Sequence, residues 1–413
     1  MDYIWRHAAT AESGTVELGR DLALWLSVGD LVALRGPVGV GKSVLARAII
    51  RALATSANGA TVEVPSPTYT LVETYRDLRL PVAHFDLYRI EDPDEVAELG
   101  FEDAMDEAAV LVEWPEKLGN HLPADYLEIT LAEQQNDDGA RDITLCGHGV
   151  WAARLKRAQA SAEFVARSGW AGTARHWLKG DASTRAYQRL VGAQGSAILM
   201  DAPAVEPAAP AGGGRSYATI AGLATDVTAF LAVNEHLRRL GLSAPRILSA
   251  DAEPGFMLLE DFGVQSFEKI LGDGEDLKTP YRAALAVLAR LQETAPPGEL
   301  PYGGGTHKLP TYDLSALLAE VELLVQWFWP MHLGTPCPPS QITAYKNIWS
   351  RALLRLEAPS VLVLRDFHSP NLYWLPRRHG AGRIGIIDHQ DAAIGHPAFD
   401  LMSLAQDARH DLP

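Results

Sequence analysis

The first half of the chain alternates between apolar runs and segments with helical spacing. Apolar runs typical of buried strands occur at residues 31–34, 82–85 and 109–112. Just before the first run, helical spacing links Leu18, Leu22, Trp25 and Leu26, so one face of that helix is expected to pack on the sheet. The pattern predicts an α/β fold with an open sheet.

Later in this half, residues 126–131 and 142–145 alternate and predict two closing strands, joined by a turn at residues 135–139. Residues 151–158 read as a basic helix. A solvated helical face and an RNA-binding face both fit this charge pattern, and the solvated face is favoured.

The second half follows a different order of elements. A hairpin is predicted over residues 178–200, a helix over residues 217–240, and strands at residues 246–249 and 256–260. A Pro/Ala/Gly-rich stretch at residues 202–214 is expected to be a mobile surface loop. The order of hairpin, helix and strands predicts a kinase-like small lobe that ends in a hinge.

Length and composition limit the possible classes of protein. The 413 residues fit two or three domains, and Lys+Arg 36 against Asp+Glu 52 gives a formal charge of −16. Direct nucleic-acid binding is therefore not expected. Cys146 and Cys337 have no metal-ligand spacing, and no secretory signal or bilayer-spanning run is present, so a cytoplasmic protein is expected without membrane partners.

The strand at residues 31–34 leads into a glycine-rich loop. Gly36 and Gly41 bracket four residues before Lys42 and Ser43, a spacing that curls backbone N–H groups around a polyphosphate. Lys42 would neutralise phosphate oxygens and Ser43 would ligate Mg²⁺. The helix that begins at Val44 directs its positive end at the anion. The residues predicted to bind the nucleotide are Gly36, Gly39, Gly41, Lys42, Ser43 and Val44.

Two strands of the same sheet end in carboxylates. Asp86 closes one apolar run, where an unpaired charge would be costly, and is a candidate Mg²⁺ ligand. Glu113 closes the next and can hold a metal-bound water or activate the attacking one. Trp114 is interpreted as a packing residue. The hydroxyls at residues 66–68 are either γ-phosphate sensors or part of a rigid surface turn.

Together these residues resemble the TsaE family, a small ATPase of tRNA threonylcarbamoyladenosine modification. The resemblance covers about residues 1–155 and rests on the segments 36–43, 66–68, 84–89 and 113–116. It implies binding of the threonylcarbamoyl transferase complex proteins of TsaD and TsaB type. In this family the ATPase helps to reset that complex between turnovers.

A second chemical centre lies near the C-terminus. Asp366 precedes Asn371 by five residues, which matches a catalytic loop in which the aspartate deprotonates a hydroxyl and the asparagine holds Mg²⁺. Asp388 ends the next apolar strand, in the position of the main metal ligand. Their order after a hinge predicts phosphotransfer.

This half resembles the aminoglycoside phosphotransferase and choline kinase superfamily, and most closely the amino-sugar kinases of AmgK type. The matching segments are 180–183 with Arg185, 199–203, 258–261, 364–371, 387–392 and 399–401. The resemblance implies an α+β, two-lobed protein-kinase-like domain over about residues 160–413. It implies ATP-dependent phosphorylation of the anomeric hydroxyl of N-acetylmuramate and N-acetylglucosamine. Asp366 would be the base, and the backbone around Glu260 and Asp261 would meet adenine.

Two features depart from this family. The strand at residues 197–200 lacks the lysine that many relatives carry, so Arg185 is expected to neutralise the nucleotide phosphates. The family also continues through further helices after the position of Asp400, which implies a shortened large lobe.

The sequence therefore predicts a fused protein in which ATP and Mg²⁺ serve both halves. The alternative is that only the ATPase half is active and that the second half is a binding module.

Overall fold

The computed structural model describes residues 2–58, 62–134, 137–179, 185–207, 215–273 and 277–407. The chain divides into two compact units. The first comprises Met1–Lys179 with Tyr187–Ser196, and the second comprises Gly180–Ala186 with Ala197–Pro413. Each unit has a hydrophobic core of its own.

The first unit alternates strands and helices. Its strands are β1 (Tyr3–Ala9), β2 (Leu31–Arg35), β3 (Val72–Tyr75), β4 (Val82–Asp86), β5 (Ala109–Glu113), β6 (Tyr126–Gln134), β7 (Asp137–His148), β8 (Ala174–Leu178) and β9 (Ala186–Gly192). Its helices are α1 (Glu12–Trp25), α2 (Lys42–Asn58), α3 (Glu95–Glu98), α4 (Phe101–Glu107) and α5 (Val150–Val165). Strands β8 and β9 form an antiparallel pair.

Seven strands form one sheet in the order β1-β7-β6-β2-β5-β4-β3. Strands β6, β2, β5 and β4 run parallel. At the edges, β3 pairs antiparallel with β4, β7 with β6, and β1 with β7. Leu34 of β2 and Asp86 of β4 both lie in register with Glu113 of β5. Side chains that end these strands are therefore neighbours at one edge of the sheet.

Helix α2 covers one face of this sheet. Leu45, Ile49 and Leu53 are fully buried, and their four-residue spacing places them on one side of the helix. Helix α1 packs closely against α2 at Gly19, where an added Cβ would lie only 2.5 Å from the Cβ of Ala48. The close packing holds the start of α2, and the loop before it, against the sheet edge.

The second unit contains short sheets and a larger share of helix. Its strands are β10 (Gly195–Asp201), β11 (Ile247–Asp251), β12 (Phe256–Glu260), β13 (Glu299–Tyr302), β14 (Gly305–Lys308), β15 (Val361–Val363), β16 (Leu372–Trp374), β17 (Ile384–Ile386) and β18 (Ala393–Gly395). Its helices are α6 (Tyr217–Ala221), α7 (Val227–Arg239), α8 (Phe267–Gly272), α9 (Lys278–Gln292), α10 (Leu314–Leu323), α11 (Trp329–Leu333), α12 (Pro339–Leu353) and α13 (Phe399–Gln406).

Three antiparallel strands, β10, β12 and β11, form the small-lobe part of this unit, with β12 in the middle. The helical part is built on α9, whose Val287 and Leu291 share a buried cluster with Leu362, Leu364 and Phe367. Strands β15 and β18 pair antiparallel, as do β16 and β17. These contacts hold the segment between β15 and β16 on a rigid base.

Three details differ from the expectations. Residues 217–240 form two helices because Gly222 ends α6 in the left-handed conformation (φ +67°) and Asp226 caps α7 by accepting the N–H of Thr228. Residues 137–139 of the predicted turn belong to β7, which extends its ladder with β6, and residues 135–136 lie outside the described residues. Strand β1, which pairs along β7, was not predicted.

The predicted division at residues 155–160 falls inside α5, which runs without a break through it, and the domain boundary stays a prediction. Residues 180–184 and 208–214, which carry a predicted motif and most of the predicted surface loop, lie outside the described residues. Within the described ranges, every helix is too short or too polar to cross a lipid bilayer.

Candidate functional sites

The glycine-rich loop joins β2 to α2 at the sheet edge. Gly36, Gly39 and Gly41 have φ values of +138°, +82° and +113°, which side chains disfavour. A Cβ on Gly36 would also lie 2.5 Å from the backbone oxygen of Leu131. The loop needs glycine at these positions in order to curl.

Lys42 reaches back across this loop. Its Nζ donates to the backbone oxygens of Gly36 at 2.8 Å and Pro37 at 2.9 Å, and lies 3.9 Å from the ring centroid of Trp114. Burial lowers the pKa of the Lys42 ammonium, whereas the nearby carboxylates, chiefly Glu113 and then Asp86, act in the opposite direction. A buried cation held by carbonyl oxygens and a ring would gain strongly from an anionic ligand.

Oxygen atoms from three elements converge beside Lys42. Asp86 accepts hydrogen bonds from the Oγ1 of Thr68 at 2.7 Å and the N–H of Tyr88 at 3.1 Å. The Oγ of Ser43 donates to Oε2 of Glu113 at 3.1 Å. Hydroxyl and carboxylate oxygens are the ligands that Mg²⁺ prefers, so this donor set fits that ion.

These groups line a cleft of about 330 Å³. Its lining residues are Val38, Gly39, Gly41, Lys42, Ser43, Val44, Arg47, Thr68, Asp86, Tyr88, Glu113 and Trp114. The structure thus brings five of the six predicted residues of the loop and helix start into this cleft, together with both predicted carboxylates. The sixth, Gly36, does not line the cleft but accepts a hydrogen bond from Lys42 through its backbone oxygen.

Sequence reasoning left part of the role of two residues of this cleft open. Trp114 packs against a buried cluster, as predicted, and its ring also contacts the Lys42 ammonium, with a left-handed backbone (φ +64°). Thr68 was left open between a phosphate sensor and a surface turn, and its hydroxyl is bonded to Asp86. The position of Trp114 directly after Glu113, at a strand end, was the available signal.

The second site is the loop that follows β15. The Nδ2 of Asn371 donates to the backbone oxygen of Asp366 at 3.1 Å, and the N–H of His368 donates to the same atom at 3.0 Å. These bonds fix the loop and leave the amide oxygen of Asn371 as the atom that can ligate a cation. The side chain of Asp366 is 43% exposed, so an incoming hydroxyl can reach its carboxylate.

Asp388 follows β17 with a left-handed backbone (φ +55°). Its Oδ1 accepts from Nη1 of Arg185 at 2.8 Å and from Nε2 of Gln390 at 2.8 Å. Arg185 was expected to meet the nucleotide phosphates, and it lies on the carboxylate that was expected to hold Mg²⁺. The oxygen donors of Asn371 and Asp388 fit a hard divalent cation.

A buried carboxylate holds the backbone that leads into the loop at Asp366. Asp400 accepts the backbone N–H groups of Leu364 at 2.7 Å and Arg365 at 2.9 Å. Burial raises the pKa of the Asp400 carboxyl to about 7, although both N–H groups favour its ionised form. The Arg365 guanidinium donates to Glu320 of α10 at 2.7 Å, which ties this helix to the loop. Sequence reasoning gave neither Asp400 nor Arg365 a role.

The side chains at the predicted hinge form hydrogen bonds with other residues of the chain. Glu260 accepts from Nη2 of Arg378 at 2.7 Å and from the N–H of Arg246 at 3.1 Å. Asp261 accepts the N–H of Gly263 at 2.9 Å and so closes a turn. Their predicted contact with adenine stays a prediction, and backbone atoms are the groups that would make it.

Two family models match the chain. The model described as threonylcarbamoyl adenosine biosynthesis protein TsaE matches residues 9–143, and the phosphotransferase enzyme family (APH) matches residues 177–413. These matches confirm the predicted fold classes, a P-loop NTPase followed by an aminoglycoside-phosphotransferase-like kinase fold.

Curated relatives divide in the same way. An N-acetylmuramate/N-acetylglucosamine kinase of Caulobacter vibrioides is 37% identical over 264 residues, which cover 62% of this chain and 72% of the relative. A tRNA threonylcarbamoyladenosine biosynthesis protein TsaE of Rickettsia conorii is 34% identical over 131 residues, which cover 32% of this chain and 73% of the relative.

Among solved structures, a streptomycin–ATP complex of the phosphotransferase APH(2'')-IIa is 14% identical with a TM-score of 0.36, over 58% of this chain and 74% of that one.

The chain belongs to the TsaE family in its first part and to the phosphotransferase enzyme family in its second.

Proposed function

We propose that this chain is a bifunctional enzyme. Its first part hydrolyses ATP in support of tRNA threonylcarbamoyladenosine modification. Its second part transfers the γ-phosphoryl group of ATP to the anomeric hydroxyl of N-acetylmuramate or N-acetylglucosamine. The observation that carries the proposal is the presence of two separate sets of phosphotransfer groups, around Lys42 and around Asp366, in a chain that belongs to two ATP-using families.

In the first site the curled loop and the start of α2 would bind the triphosphate, and Lys42 would move its contact from carbonyl oxygens to phosphate. Ser43 and Asp86 would hold Mg²⁺, which neutralises phosphate charge when bound. Glu113 lies at the end of β5 beside Ser43 and is the group placed to accept a proton from attacking water. The partners proposed for this part are transferase complex proteins of TsaD and TsaB type.

In the second site Asp366 would accept the proton of the sugar hydroxyl as that oxygen attacks the phosphoryl group. Asn371 and Asp388 would hold Mg²⁺, and Arg185 would leave Asp388 to pair with the nucleotide phosphates. The backbone at Glu260 and Asp261 would contact adenine.

Both cysteines are free thiols, which supports the cytoplasm as the place where both reactions occur.

The test compares Lys42→Ala and Asp366→Ala with the wild type in two assays, sugar-independent ATP hydrolysis and phosphorylation of N-acetylmuramate and N-acetylglucosamine. We expect Lys42→Ala to abolish only the first and Asp366→Ala to abolish only the second, because each removes a group from one site. Sugar-independent hydrolysis that survives Lys42→Ala would overturn the first assignment. A wild type that phosphorylates neither sugar would overturn the kinase assignment of the second part. The alternative, in which the second part is a binding module, would then remain.

A further inference from the structure

A histidine lies behind the first site and has no part in the function described so far. His84 is fully buried in the middle of β4. Its Nε2 lies 3.1 Å from Oε1 of Glu113. Its Nδ1 has no hydrogen-bond partner among the described residues.

The geometry of the sheet creates this contact. His84 lies two residues before Asp86 on β4, so both side chains are on the same face of the sheet. Asp86 is in register with Glu113 of the adjacent parallel strand, so Glu113 lies on that face too. The three side chains therefore share one face of the sheet, near the edge at which the glycine-rich loop begins.

Each oxygen of Glu113 has one donor. Oε1 faces the imidazole, and Oε2 accepts the hydroxyl of Ser43 at 3.1 Å. Glu113 is almost fully buried, so its carboxylate needs both bonds to offset the loss of water. An ionised carboxylate can only accept, so this contact is a hydrogen bond when Nε2 of His84 carries the proton.

We propose that His84 is a positioning residue that fixes the rotation of the Glu113 carboxylate toward the nucleotide cleft. The inference rests on the ATPase function proposed above. When the Ser43 hydroxyl turns to another acceptor, Oε2 becomes free to accept a proton from water. Oε1 stays bonded to His84, so the carboxylate keeps its orientation at that moment.

A histidine that serves only the packing of β4 would behave differently. In that case, replacing it by leucine would change the stability of the protein and leave the rate of hydrolysis unchanged. Leucine and glutamine at this position would then give the same rate. The positioning role instead requires an N–H donor at the place of Nε2. Glutamine offers one, since its amide nitrogen reaches about as far from the backbone as Nε2 of histidine.

The experiment uses the full chain carrying Asp366→Ala, which silences the second site. Single-turnover ATP hydrolysis and the affinity for a non-hydrolysable ATP analogue are measured for His84→Leu, His84→Gln, Glu113→Gln and the double variant His84→Leu/Glu113→Gln. We expect His84→Leu to slow hydrolysis by about 10–100-fold, as loss of an orienting partner does at other sites. The analogue should bind within about threefold of its original affinity, and His84→Gln should recover most of the rate.

The double variant gives the sharpest result. If His84 acts through Glu113, then His84→Leu should slow the Glu113→Gln protein no further. Side-chain ¹⁵N NMR of the nucleotide-free protein gives a readout that does not depend on activity. The imidazole resonances that are missing from the spectrum of His84→Gln belong to His84. In the spectrum of the parent protein they should show a protonated Nε2 and an unprotonated Nδ1.

Additive effects in the double variant would overturn the inference, as would equal rates for His84→Leu and the parent, or a protonated Nδ1 with a bare Nε2. If His84→Leu does not fold, the rate of His84→Gln decides. A rate as low as that of Glu113→Gln would overturn the positioning role, and a rate near that of the parent protein would support it. Lys42→Ala separates the two proposals. Hydrolysis that needs Lys42 but not His84 refutes only the positioning role, and hydrolysis that does not need Lys42 refutes the ATPase assignment itself.

Discussion

Strained residues mark both sites. Among the described residues, four other than glycine have a positive φ, and they are Leu71, Trp114, Arg365 and Asp388. Leu71 accepts the backbone N–H of Asp86, and Trp114 follows Glu113. Arg365 precedes Asp366, and Asp388 is itself a proposed ligand. Such conformations cost about 1–3 kcal/mol each and persist where the surrounding structure enforces them, which is typical of functional sites.

Asp400 gives a prediction about pH at the level of a single residue. Its pKa is raised by burial from an ordinary value near 4 to about 7, so the folded state binds its proton more tightly than the unfolded state does. Its contribution to stability is therefore complete below about pH 4 and is lost as the pH rises to about 7. The amide that an Asp400→Asn substitution introduces does not titrate in this range.

We expect the free energy of unfolding of Asp400→Asn, relative to the wild type, to increase between about pH 4 and pH 7 and to be constant above that window. Urea unfolding at a series of pH values measures this difference. Asp103→Asn, which replaces an exposed carboxylate of α4, is the control for the loss of one carboxyl group. A flat difference for Asp400→Asn would mean that the buried carboxyl is ionised throughout.

At the level of elements, strand ends and helix starts position the chemistry. In the first unit β2, β4 and β5 deliver the loop, Asp86 and Glu113 to one edge because they are parallel and in register. In the second unit β15 and β17 lead into Asp366 and Asp388. Strand β10 has no lysine, and its Ala197, Leu199 and Met200 are buried. An arginine that pairs with the proposed metal carboxylate Asp388 comes instead from the segment before β9.

The packing of α1 on α2 predicts a stability effect. Gly19→Val should lower the free energy of unfolding of the first unit by about 1–3 kcal/mol, because the added side chain has no room beside Ala48. Chemical denaturation followed by tryptophan fluorescence measures this. Ser13→Val, at an exposed position of the same helix, is the matched control. Equal midpoints for the two variants would show that the helices move apart without cost.

At the level of the whole molecule, the chain combines two units that each have a hydrophobic core and a candidate phosphotransfer site. It carries a formal charge of −16 although its first part belongs to a family of tRNA modification. Phosphate backbones are repelled by such a charge unless a basic surface offsets it. Protein partners, which the first part is proposed to bind, avoid this repulsion.

We therefore expect the full chain to bind tRNA no more tightly than about 100 μM at physiological salt, at the weak end of non-specific binding. Filter binding or fluorescence anisotropy with labelled tRNA measures the affinity. Binding at low micromolar concentration would contradict this expectation. A double variant, Lys156→Ala/Arg157→Ala, would then show whether the basic part of α5 is responsible.

The sequence by itself determined the elements and the chemistry that local patterns encode. The spacing of Gly36, Gly41, Lys42 and Ser43 requires a particular loop, and the apolar runs that end in Asp86 and Glu113 require strands with polar ends. The order of Asp366, Asn371 and Asp388 likewise indicated a kinase loop. These properties depend on neighbours in the chain, which is why they can be read without a fold.

Only the tertiary structure decided which distant groups touch. Trp114 lies on Lys42, His84 holds Glu113, Arg185 pairs with Asp388, and Asp400 supports the loop before Asp366. Edge strand β1 exists because β7 offers it a partner. Each contact depends on strand register, helix packing or burial, and these are set by the whole chain as it excludes water from its cores.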